Sequence, residues 1–231
     1  MSLLLRDQTV PLLGPAAYLA KVVSVQDPDS LNRVQVRIYN CDGNTDEDGP
    51  VWARVSMPFA GNNKGAFMFP DTGDEVLVVF LSGDPRFPVV IGSLWNGSDS
   101  APDSFSNSVN KWTLTGKNGT KIAILEEQSG QETIKLTTPG GQVAKLTDQG
   151  GGTIEFDHSG GSSIKIDTQG ITITASSGKV KITAASSMEV SAPMVKVDAG
   201  MSKFSGMVKC DVLQATTVIA STYTPGAGNI W

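Results

Sequence analysis

Positive charge is scarce and scattered: 18 Lys and Arg stand against 23 Asp and Glu, for a formal net charge of -5. No basic stripe forms, which argues against a phosphate backbone or an anionic membrane surface as the main partner. Histidine occurs once, as His158, so a Ser-His-Asp or Cys-His set would have to use it, and no nucleophile-elbow motif stands near it. Zinc would need Cys and His at close spacing, but the two cysteines, Cys41 and Cys210, lie far apart. They are expected to be buried thiols, not a disulfide framework. No apolar run of ~18 residues exists to cross a membrane as a helix. The N-terminal MSLLLRDQTVPLLGPAA lacks the basic start of a signal peptide, and Arg6, Asp7 and Pro11 interrupt its apolar runs.

What the chain does have is strand grammar. AKVVSVQ, RVQVRIY, VWARVSM, EVLVVFL and PVVIGSL are short β-rich runs, separated by Gly, Pro, Asn and Asp where the chain must reverse. Five such runs fit a small barrel. Between two of them, Asp42-Gly-Asn44-Thr-Asp46-Glu-Asp48-Gly looks like a calcium loop, but Glu47 stands where the sharp turn needs glycine and Ala53 where a bidentate Glu belongs. A solvated acidic hairpin loop is the expected reading.

NGSDSAPDSFSNSVNK, from Asn96, is too polar to bury much surface and reads as a linker. After it, an apolar-polar-apolar unit recurs: IAI at Ile122, IKL at Ile134, AKL at Ala144, IEF at Ile154, IKI at Ile164, ITI at Ile171, VKI at Val180, MEV at Met188 and VKV at Val195. Within each unit the two apolar side chains share one face, and the residue between them points away. A strand with two inward side chains makes no core alone, and the repeat is too short for a single-chain solenoid coil. Three chains winding about one axis would supply the missing walls, with pairing between chains and a centre filled by aliphatic side chains. Ile124, Ile134, Leu136, Leu146, Ile154, Phe156, Ile164, Ile166, Ile171, Ile173, Val180, Ile182, Val190, Val195 and Val197 are the expected trimer core.

DPDSLNRVQVRIYN, VWARVSMPFAG and GAFMFPDTGDEVLVVFLSGDPRFPVVIGSLWNG, followed by these repeats, resemble the baseplate assembly protein V and central spike proteins of contractile-tailed phages, relatives of the valine-glycine repeat spikes of type VI secretion. The resemblance runs along nearly the whole chain. It implies an all-β molecule: an N-terminal oligonucleotide/oligosaccharide-binding (OB) barrel followed by a trimeric, intertwined triple-stranded β-helix. The expected division is an arm over 1–17, the OB domain over 18–97, a linker over 98–111, the shaft over 112–200 and a tip region over 201–231.

The implied function is structural and mechanical. A homotrimeric needle docks through its OB domain under the hub at the end of a tail tube and transiently pierces the target's outer membrane on sheath contraction. The implied setting is the tail baseplate of a virion or an equivalent injection particle, made in the host cytoplasm. Tyr223, Pro225, Ile230 and Trp231 are candidate contacts for the tip or for a separate PAAR-like tip protein. Some relatives bind iron at the tip through a His-x-His pair; His158 is followed by Ser-Gly-Gly, so no cofactor or metal is expected. Gly73 and Gly83 should allow tight turns, Asp74 and Asp84 should accept turn amides, Pro88 should start a strand, and Trp52 and Trp95 should be barrel core or trimer contacts.

Two rival functions remain at this point. A β-helical polysaccharide-degrading enzyme would need a groove rich in aromatics, which make up only 6% of the chain. An OB-fold nucleic-acid or carbohydrate reader would need cations flanking stacking rings, whereas Arg33, Arg37 and Arg54 stand isolated.

Overall fold

A computed structural model describes residues 16–39, 49–104 and 107–222. The acidic loop with Cys41, and the tip candidates Tyr223, Pro225, Ile230 and Trp231, lie outside the described residues.

Five strands close a barrel in the order β1 (Ala17–Ser24), β2 (Arg33–Ile38), β3 (Val51–Val55), β7 (Pro88–Leu94), β6 (Glu75–Phe80) and back to β1. All pairs are antiparallel except β3 with β7. The alternation in the sequence sets the inside: Ala20, Val22, Val34, Val36, Ala53, Val76, Val78, Phe80 and Val90 are buried together. Small and β-branched side chains suit so narrow a lumen. Tyr18 meets Phe80 edge-to-face with centroids 5.6 Å apart. A two-residue hairpin, β4 (Ala60–Gly61) with β5 (Lys64–Gly65), projects from the connection between β3 and β6.

The turns behave as their residues dictate. Gly73 and Gly83 have φ of 104° and 73°, in the left-handed region that favours glycine. Asp74 accepts the Asp71 amide at 2.8 Å, Asp84 accepts the Arg86 amide at 2.9 Å, and Pro88 opens β7. Asp27 organises the turn before β2: its side chain is 4% exposed and accepts the amides of Asp29, Leu31 and Arg33 together with the Arg33 guanidinium at 2.7 Å. Arg33 therefore holds that carboxyl far below the usual range, against the opposing effect of burial. Trp95 is 69% exposed and is no part of the barrel core.

Seven strands follow as one antiparallel meander: β8 (Lys111–Thr115), β9 (Lys121–Leu125), β10 (Thr133–Thr137), β11 (Val143–Thr147), β12 (Thr153–Asp157), β13 (Ser163–Asp167) and β14 (Gly170–Thr174). Here the structure differs from the expected pairing between chains, because each strand pairs with its neighbour in sequence. Recurrent Gly turns make this possible: the amides of Gly119, Gly141 and Gly161 bond back to the carbonyls of Gly116, Thr138 and His158 at 2.8–2.9 Å. Each of those glycines has positive φ. Within this sheet each strand finds a pairing partner in its own chain. What it leaves open is a face.

The described part of the polar segment, 96–104 and 107–110, is less free than its composition suggests. Asp103 binds Lys121 at 2.7 Å and Lys111 at 3.1 Å, tying the segment to the first two strands of the sheet. Lys117, in the turn between β8 and β9, also forms an ion pair with Asp71 on the barrel.

Residues 180–222 form a separate unit that contains no strand among the described residues, and every one of them is exposed. The units VKI, MEV and VKV fall here. Cys210 is exposed as well, contrary to the buried thiol expected.

Candidate assembly interface

In five-residue strands the second and fourth side chains share a face. The strand register then carries that face across the whole sheet. One row runs Trp112, Ile124, Ile134, Leu146, Ile154, Ile166, Ile171, and beside it runs Leu114, Ile122, Leu136, Ala144, Phe156, Ile164, Ile173. Ten of the expected core residues, from Ile124 to Ile173, are brought together in these two rows. The other five, Val180, Ile182, Val190, Val195 and Val197, lie in the strandless unit and are exposed there.

Four further residues of the same face, Trp112, Leu114, Ile122 and Ala144, were not among the expected core. Ile122 and Ala144 open the IAI and AKL units, and the signal for Trp112 and Leu114 was present in the alternation of KWTLT, which abuts the polar linker.

The sheet is inside out for a solitary chain. Its large apolar residues are 37–70% exposed, whereas Ala123 and Thr147 on the opposite face are 5% and 8% exposed. That opposite face is satisfied by its own pairs. Lys145 meets Glu155 directly across the strands at 2.5 Å, Lys165 meets Asp167 at 2.9 Å, and the hydroxyls of Thr133 and Thr147 are 2.7 Å apart. An apolar strip this long and unbroken marks a surface that another molecule covers.

The chain after Thr174 presents a second deficit, of hydrogen bonds. No backbone bond within the chain holds residues 180–222 among those described. Backbone amides and carbonyls lower their free energy by pairing, and the described residues of this stretch do not obtain that pairing from one another.

Other candidate sites are less developed. His158 lies in a turn, where its Nδ1 accepts the Gly160 amide at 2.9 Å. On the barrel, Arg33 stands directly opposite Arg54 and shares the outer face with Arg37, so the three arginines are closer than their spacing implied. Arg33 is nonetheless committed to Asp27 and Asp29. Its guanidinium lies 5.7 Å from the centre of the Trp52 ring, in a cleft of about 460 Å³ that also contains Arg86 and Phe87.

Comparison with known proteins gives these features a context. Residues 18–95 match the model of the type VI secretion system/phage-baseplate injector OB domain, and residues 133–201 match that of the phage baseplate V C-terminal trimerisation domain. Among curated proteins, the type VI secretion system spike protein VgrG3 of Vibrio cholerae is 30% identical over 47% of this chain. The spike proteins VgrG4b and VgrG5 of Pseudomonas aeruginosa are 34% and 32% identical over 46% and 55%. The matches cover 11%, 14% and 16% of those relatives' own lengths. The second matched model spans most of the apolar rows and continues into the strandless unit.

Proposed function

The chain belongs to the phage-baseplate V and type VI injector spike family, and from that premise we propose that three copies close their apolar sheet faces around one axis to form a membrane-piercing needle. The family role, a spike in a baseplate or secretion particle, is structural. In this reading the barrels dock beneath a hub at the end of the tail tube. Sheath contraction drives the needle through the target's outer membrane, and residues 201–231 form the tip or seat a separate tip protein.

The two in-register apolar rows carry the proposal. Seven strands at about 4.8 Å spacing give each chain a stiff panel roughly 30 Å long, and three panels enclose a dry core. Residues 180–222 then wind with their sisters and obtain from them the pairing that their own chain does not provide. Such a body resists bending because every layer is tied both to its own chain and to two others.

The test combines mass with amide exchange. Native mass spectrometry should give a trimer, and hydrogen exchange should find residues 180–222 strongly protected in it. A monodisperse monomer, or a trimer in which that segment exchanges as freely as an unfolded chain, would refute the proposal.

A further inference from the structure

The two apolar rows are nearly uniform ladders of Ile and Leu, and uniformity creates a problem of register. Strands recur every ~4.8 Å, and the meander repeats its direction every second strand. A chain displaced along the axis by two strands, roughly 9.6 Å, would therefore set Ile against Ile almost as well as the correct arrangement does.

Two adjacent positions in the interior of the ladder break this degeneracy. Ala144 is the one small residue in the two rows, and its cross-strand partner is Phe156. Phe156 is 52% exposed, more than any other row residue of β9–β13, among which Ile154 is only 37% exposed. The face thus carries one bump beside one dent. Their chemistry is matched in amount, since an alanine and a phenylalanine together have as many side-chain carbons as two leucines. The pair redistributes apolar volume along the axis without changing its total.

Building on the trimer reading above, we infer that Phe156 and Ala144 are the register lock of the assembly, the Phe156 rings filling the layer that the Ala144 residues of neighbouring copies leave open. A displaced chain would drive its Phe156 into a ladder position already filled by Ile or Leu, and its neighbours' dents would stay empty. Overpacking and a cavity would then arise together, and both are destabilising in a close-packed core. The correct level satisfies both at once. The occupant is a second copy of this chain because Ala144 and Phe156 lie within the segment that matches the trimerisation domain and within the same unbroken face.

The experiment uses Ala144→Leu, Phe156→Leu and the double variant, which keeps the carbon count but levels the ladder. Each single change should lower the thermal midpoint of the trimer by roughly 5–10 °C, and the double variant should recover most of that loss. With isoleucine methyl labels, the wild type should show one resonance per isoleucine, as three equivalent chains require. The double variant should show split resonances for Ile154 and Ile164 as displaced registers become populated. Additive losses in the double variant, or a single set of resonances in it, would overturn the lock while leaving the trimer standing. A wild-type protein that is not a trimer by native mass would overturn both.

Discussion

Replacing Ile164 with aspartate tests the facing of the sheet most severely. Ile164 is 42% exposed between Phe156 and Ile173, its cross-strand neighbours. Covering the exposed part of its side chain contributes about 1 kcal/mol, and that is lost. A carboxylate left unpaired in the closed core costs several kcal/mol more, roughly 3–5. Three-fold repetition brings the total to roughly 12–18 kcal/mol per trimer. At ~1.4 kcal/mol per decade, the concentration needed for half assembly should rise by about four to six decades, because three chains condense into one. Sedimentation velocity across a dilution series reads this directly.

Acid should partly rescue the variant. Burial raises the carboxyl's pKa in the assembled state, so the penalty shrinks as pH falls and the group takes up a proton. Lys165→Gln is the control: it lies on the opposite face and loses only a half-exposed pair with Asp167. Unimpaired assembly of Ile164→Asp, or equal failure of Lys165→Gln, would show that the wrong face has been assigned to the core.

Two further outcomes follow from local chemistry. Arg33 depresses the Asp27 carboxyl strongly, and Arg86 holds Asp84 at about 2 against an ordinary 3.8. Such groups contribute stability that is whole above the ordinary value and is lost as pH falls through the folded value. The thermal midpoint should therefore be flat above pH ~4.5 and fall below it, with a shallower fall in Asp27→Asn; a midpoint that rises on acidification would contradict this. Gly161 has a φ of 87°, and a Cβ there would stand 2.9 Å from the Ser176 Oγ, so Gly161→Ala should destabilise each chain by about 1–2 kcal/mol. Gly140→Ala should be near neutral in the same denaturation assay, because its Cβ would meet only the Gln142 side chain at 3.7 Å.

Much of this architecture was legible because β-structure writes itself into the sequence with a period of two. RVQVRI, VWARV, EVLVVF and PVVIGSL are strands almost to the residue, and the apolar-polar-apolar units from Ile122 to Ile173 do place their two apolar side chains on one face. Alternation says which side chains share a face, but not which chain supplies the neighbouring edge. Pairing within the chain was therefore invisible until the Gly turns were seen closing hairpins. Strand β8 was hidden for a related reason, since Ser and Asn dominate the window around Trp112. The hairpin at Ala60 and Lys64 is too short to have a period at all. The dent at Ala144 was visible as a residue, but its partnership with Phe156 depends on register, which a single sequence does not state.

Strand connectivity also has a consequence in time. Hairpins closed over a few residues lose little entropy and form early, so a nascent chain acquires its panel before it meets another copy. In the proposed trimer the later stretch gains its pairing only once three panels have gathered. Each newly made subunit must therefore pass through a stage in which a sticky surface is fully formed and bare. On the proposed reading, correct assembly then depends on sister subunits meeting before that bare surface finds another occupant.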